Sequence, residues 1–177
     1  SHSWLQQLPF TASDADVRKA GYANTADRVP QACIVGQPNY FPLHYVLNAA
    51  LDGIDRWVTD GTPPPKAPRI ETEMVDGKPR FVLDADGNLK GGYRLPYIDV
   101  PLATFSPTNN RHFEGSGCWS WGHVARFSDL QLRTLYPTQD AYVSKVAARA
   151  EELRRARMLT NGDARRIVEE AANTPVP

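Results

Sequence analysis

The stretch from Asn39 to Pro65, NYFPLHYVLNAALDGIDRWVTDGTPPP, constrains this chain more than any other, because an amphipathic helix there runs directly into three consecutive prolines. Val46, Leu47, Ala50, Leu51, Ile54, Trp57 and Val58 recur at three- and four-residue spacings, so a helix over 43–60 carries one broad apolar stripe and reads as a core helix. Pro42 stands where a helix start tolerates proline, and Gly61 stands where a left-handed cap is wanted. Pro63, Pro64 and Pro65 have no amide hydrogens, so the helix stops and the chain leaves it extended. A stripe this wide has a sheet as its natural cover, and no run of parallel-sheet strands is evident in the remaining residues.

Before this helix, residues 1–41 are irregular apart from a short helical candidate from Ser13 to Ala20, where Ser13 can cap and Asp14 and Asp16 suit the positive end. After it, the apolar period shortens toward two. Ile70, Thr72, Met74, Phe81 and Leu83 mark strand-like runs, separated by Asp76-Gly77 and Asp86-Gly87-Asn88 as turn signals. The expectation is an antiparallel meander of RIETEMV, PRFVLD and LKGGYRL, added at the edge of a main sheet. Gly91-Gly92 predicts a close backbone approach or bulge, with the chain extended from there through Pro101. Residues 106–124 read as a structured loop. Ser128 is placed to cap a short helix through Leu135, and Pro137-Thr138 opens a longer one to about Met158 with Tyr142, Val143, Val146, Ala147, Ala150 and Leu153 inward. Asn161-Gly162 reads as its end, followed by a last helix over 163–172 and a frayed Pro175-Val176-Pro177 terminus.

Three segments share an order and spacing with a known family: AALDGIDRWVTDGTPPPKAPRIE, then LDADGNLKGGYRLPYIDVPLATF, then FSDLQLRTLYPTQDAYVSKV. In these the chain resembles the C-terminal part of the large bacterial α/β-hydrolase-domain proteins. The resemblance implies an α/β fold, the C-terminal portion of an α/β-hydrolase with an added antiparallel β-meander and a helical tail. Its implied parts are residues 1–62 as catalytic-histidine loop and last core helix, 63–127 as meander and extended segment, and 128–177 as tail. It further implies a serine hydrolase of the esterase type, acting on a small-molecule ester or acyl substrate. The serine and the catalytic acid would lie on an N-terminal part of the hydrolase domain, before residue 1, which is then the implied partner.

Within that resemblance His2 is the candidate catalytic residue, because Ser1-His2-Ser3 matches the context of the family's histidine upstream of the helix. A loop histidine of this kind is the general base that takes the proton of a serine nucleophile. No serine in this chain has glycine two residues away on both sides, so the nucleophile elbow is absent, including from GSGCWSWG at 115–122. A rival reading takes Ser1 itself as an N-terminal nucleophile whose α-amine is the base. A third takes the chain as a non-catalytic binding module using Tyr93, Tyr97, Trp119 and Trp121.

The remaining signals are structural or exclusionary. Arg94 and Asp99 could clamp a substrate, but their spacing fits a structural ion pair or a link to the rest of the domain better. His44 at the helix start suits a structural role, and His112 and His123 have no ligand spacing, so neither a metal nor a cofactor is expected. Cys33 and Cys118 could form a bridge, worth about 3–5 kcal/mol on chain-entropy grounds, or remain buried thiols. Twenty basic and twenty acidic residues cancel, which leaves no electrostatic footprint for nucleic acid, and the apolar runs are too short to span a membrane.

Overall fold

The computed structural model describes residues 37–109 and 122–177. The chain divides into two compact units, residues 1–44 with 105–125, and residues 45–104 with 126–177. Ser1, His2, Cys33, His112, Cys118, Trp119, Trp121 and the 13–20 helix lie outside the described residues. In chain order the described elements are strand β1 (Gln37–Pro38), helix α1 (Leu43–Asp60), strands β2 (Thr72–Val75) and β3 (Lys78–Phe81), and the short helix α2 (Pro96–Asp99). Strands β4 (Ala103–Ser106) and β5 (His123–Arg126) follow, then helices α3 (Asp129–Leu135), α4 (Gln139–Arg155) and α5 (Asn161–Asn173). The strands form one small sheet in the order β1-β5-β4, with β1 antiparallel to β5, and one two-stranded hairpin, β2-β3.

In the first unit, Gln37 lies opposite Val124 and Pro38 opposite His123. Phe105 receives Tyr40 and Phe41 edge-on, with centroids 5.7 and 5.6 Å away. Asn39 holds the turn into α1: its Oδ1 accepts the Phe41 amide at 2.9 Å and its side-chain amide donates to the Ser106 carbonyl at 2.9 Å. An Asx turn of this kind is what lets the chain leave a strand and enter a helix within a few residues.

The second unit is built on α4 and α5. Tyr142, Val146, Ala150 and Leu153 of α4 and Ala164, Ile167 and Ala171 of α5 are buried, one apolar stripe against another. The starts of α3, α4 and α5 are closed by side chains: Ser128 accepts from the Gln131 amide, Thr138 from Ala141 and Thr160 from Asp163. Such caps are each worth about 1 kcal/mol.

Helix α1 spans the expected residues and ends at Gly61, whose φ of +76° and amide bond to the Trp57 carbonyl make the expected cap. Its burial is the reverse of the expectation. The face turned inward carries Tyr45, Ala49 and Gly53, whereas Leu51, Trp57 and Val58 are 66%, 57% and 82% exposed. The hairpin shows the same pattern. Thr72 pairs with Phe81 and Met74 with Pro79, and strand alternation puts Ile70 and Leu83 on that same side. Ile70, Met74, Phe81 and Leu83 are all exposed.

Four further expectations are corrected. The third strand of the meander reduces to an isolated Leu83–Leu89 bridge, because the Asp84–Asn88 turn takes the intervening backbone. The segment expected to be extended through Pro101 makes one helical turn, α2, for which Pro96 at the first position presets φ. Asn161-Gly162 does not end a helix but opens α5, since Thr160 caps there and the reversal falls on Arg157, at φ +59°. The terminus is held rather than frayed: Gln139 donates to the carbonyls of Ala171 and Thr174 and accepts from the Val176 amide.

Candidate functional site

The DADGNLKGGYRLPYIDVP segment folds into one hydrogen-bonded knot in the second unit. Asp84 begins it. Its Oδ1 accepts the amides of Asp86 and Asn88 at 3.0 and 2.8 Å, which closes the turn that Gly87 passes at φ +77°. Asn88 is fully buried and donates to the Ala103 carbonyl, while Thr104 donates its hydroxyl to the Asp86 carbonyl at 2.7 Å. The turn is thereby stitched to the start of β4. Gly91 then passes so close to the chain before β2 that a Cβ there would lie 2.0 Å from the Arg69 carbonyl oxygen. The expected close approach at this glycine pair is therefore present.

Arg94 is the hub. Its Nη2 reaches Asp84 Oδ2 at 2.7 Å, its Nε reaches Asp99 Oδ1 at 2.5 Å, and it also donates to the carbonyls of Leu89 and Ile98. The second oxygen of Asp99 accepts from Arg149 Nε at 2.7 Å, and Arg149 also donates to the Arg94 carbonyl. Asp84, Arg94, Asp99 and Arg149 thus form an alternating chain of charge that joins the turn, α2 and α4. Burial works against the Arg94 charge, but the hydrogen bonds to Asp84 and Asp99 outweigh it, and its pKa is raised. With its guanidinium committed to these partners, Arg94 is not a substrate clamp. It is the structural pair the spacing favoured. Arg94→Ala is expected to cost about 2–4 kcal/mol, since it leaves the largely buried Asp84 without its ion partner and Asp99 with Arg149 alone. Arg94→Lys should recover little of this, because a single ammonium cannot bridge both. Urea denaturation midpoints of the two variants would measure it, and a loss below that of an ordinary surface change would remove the hub role.

Beside the knot, the Tyr93 hydroxyl is buried without a hydrogen-bond partner among the described residues, and burial pushes it up to about 12. A second cluster joins α1, α2 and α5. Glu170 accepts the hydroxyl of Tyr45 at 2.6 Å through one oxygen and that of Tyr97 through the other, and the two rings stack with centroids 6.4 Å apart. Burial, and then the bond to Glu170, hold both phenols above their ordinary range, so they stay neutral donors. Tyr45 and Glu170 carried no signal in the sequence, because 125 positions separate them. In the tail, Tyr136 donates to the Pro101 carbonyl at 2.9 Å and meets Tyr142 edge-on at 5.0 Å. Tyr136 and Tyr142, in the LYP..A.Y wording, and Asp99 and Pro101, in the DVP wording, are therefore structural.

Of the four histidines, His2 and His112 lie outside the described residues. His44 sits half-buried in the first turn of α1, and Nδ1 of His123 is 2.7 Å from the Thr108 carbonyl, which assigns it the proton. Among the described residues no group of three or more His, Cys, Asp or Glu side chains could hold a metal ion, and no helix is long and apolar enough to cross a membrane.

The family model described as "Alpha/beta hydrolase domain" matches residues 1–169. This chain belongs to that family. Comparison with curated proteins and with solved structures found no match.

Proposed function

We propose that these residues form the C-terminal portion of a serine α/β-hydrolase that cleaves carboxylic esters or related acyl bonds, with His2 as its general base. In this reading residues 1–62 bring the catalytic loop and the last core helix, 63–127 the β-hairpin and its extended continuation, and 128–177 the helical tail. The nucleophile and acid come from a preceding part of the same hydrolase domain. The observation that carries the proposal is the uncovered face of α1. A helix that exposes Leu47, Leu51, Ile54, Trp57 and Val58 in one stripe leaves several kcal/mol of burial unrealised, at about 1.5–3 kcal/mol for each large side chain fully covered. A hydrolase core sheet is a cover of the right shape, and family membership supports one. The exposed apolar side of the β2-β3 hairpin fits the same reading, since a two-stranded ribbon is marginal without something to pack on.

Two measurements test this. Expressed by itself, the 177-residue chain should bind a hydrophobic dye or aggregate. A sharp, reversible melt without dye binding would mean that no further part of the domain is needed. The complete protein should hydrolyse an activated ester in the presence of a chelator, and an organophosphate should inactivate it by labelling a serine outside these residues. A label on Ser1 would instead make this chain an N-terminal-nucleophile acylase.

A further inference from the structure

In the second unit, where α4 turns into α5, a cavity of about 370 Å³ is lined by Asp52, Arg56, Arg154, Arg155 and Arg157. In a chain whose formal charge is zero, four guanidiniums on one concave surface are a concentration of positive charge. Two carboxylates bond to them directly. Asp52 takes Arg56 Nε at 2.9 Å, and Glu151 takes Arg154 Nε at 2.6 Å and Arg155 Nε at 2.7 Å. The hydrogen bonds from Arg154 and Arg155 hold the Glu151 carboxyl down at about 2, so it is already fully ionised and has no more charge to give. Asp60 also interacts electrostatically with Arg56 and Arg157, so three carboxylates face the four guanidiniums and one positive charge is left over. The terminal nitrogens of Arg56 and Arg155 have no partner among the described residues, since both bond through Nε alone.

Two backbone features point the same way. Arg157 has φ +59°, in the slot after α4 where glycine is the ordinary choice, and it spends one terminal nitrogen on the Pro63 carbonyl at 3.2 Å. A bulky residue held in that conformation places its guanidinium over the cavity in place of open space. Thr160 and Asn161 also line the cavity and begin the 13-residue α5, whose first-turn amides add partial positive charge there, offset in part by the Asp163 carboxylate in the same turn.

We propose that this cavity binds a small multivalent oxyanion, a molecule bearing a phosphate or pyrophosphate group, through the terminal nitrogens of Arg56, Arg155 and Arg157. A phosphate group offers the flat oxygen pairs that guanidinium forks match. The volume suits a small molecule.

Calorimetric titration of the native protein with inorganic pyrophosphate, and in parallel with glycerol phosphate, would test it at about 0.15 M salt, where loose surface attraction is screened. Saturable one-site binding of either is expected, weakened about tenfold or more in both Arg157→Gly and Arg56→Gln. Arg157→Gly suits the left-handed backbone, so its melting temperature should hold, and a loss of binding cannot be assigned to unfolding. Binding of pyrophosphate alone would identify a polyphosphate ligand, and binding of both a phosphate monoester. No saturable binding of either anion, or affinity unchanged in both variants, would overturn the site.

Discussion

His2→Ala is expected to lower kcat of the complete hydrolase by about a thousandfold or more, with folding and substrate binding nearly unchanged. A general base acts on the nucleophile's proton in the transition state. Its removal therefore appears in kcat rather than in substrate binding. The other three histidines are the controls. His44→Ala should chiefly lower stability, since His44 stands half-buried in the first turn of α1. His123→Ala should lose a local bond to the Thr108 carbonyl and little else, and His112→Ala should change activity only slightly. Steady-state rates on an activated ester separate these outcomes. Near-normal turnover in His2→Ala beside an inactive control would transfer the role of base to that control.

Gly91→Ala is expected to destabilise the protein by about 4 kcal/mol or more, the range reserved for changes the backbone cannot absorb. The added carbon would lie 2.0 Å from the Arg69 carbonyl oxygen, and φ at Gly91 is +70°. Neither segment can move aside, because the Glu71 amide donates to the Lys90 carbonyl and the Gly92 amide to the Pro68 carbonyl, one on each side of the contact. Gly61→Ala is the matched control. Gly61 has nearly the same backbone, φ +76°, with nothing within 4 Å of the added carbon, so it should cost only about 1 kcal/mol. Equal losses in the two variants, by denaturant midpoint, would show that the close approach to Arg69 is not what holds Gly91.

The helices were legible because their signals are local. The spacing of apolar residues, the caps at Ser128 and Thr138 and the proline stop all act within a few residues of where they are read. The turn at Asp76-Gly77 was legible for the same reason, with φ of +50° and +72° that few other residue pairs accept. Thr160 was the cap that escaped. Asn161-Gly162 is as good a stop signal as a start, and only the reversal at Arg157, an unlikely residue for φ +59°, decides between them. Strands β4 and β5 were hidden within a stretch read as extended segment and loop, because four-residue strands carry too few alternations to register.

The sequence alone determined the family, through three motifs in order, the span of α1, and the pairing of Arg94 with Asp99 as more plausible than a clamp. These depend on local chemistry or on wording. Only the tertiary structure decided which face of α1 is covered, that Asp84 and Arg149 complete the Arg94–Asp99 pair, and that Glu170 receives two tyrosines from distant helices. Periodicity shows that a helix has an apolar stripe but not what stands opposite it, because burial belongs to two surfaces and a sequence displays one at a time. Likewise a guanidinium can be predicted to need carboxylates, yet which ones it finds depends on the turn that Asp84 closes and on where α4 packs.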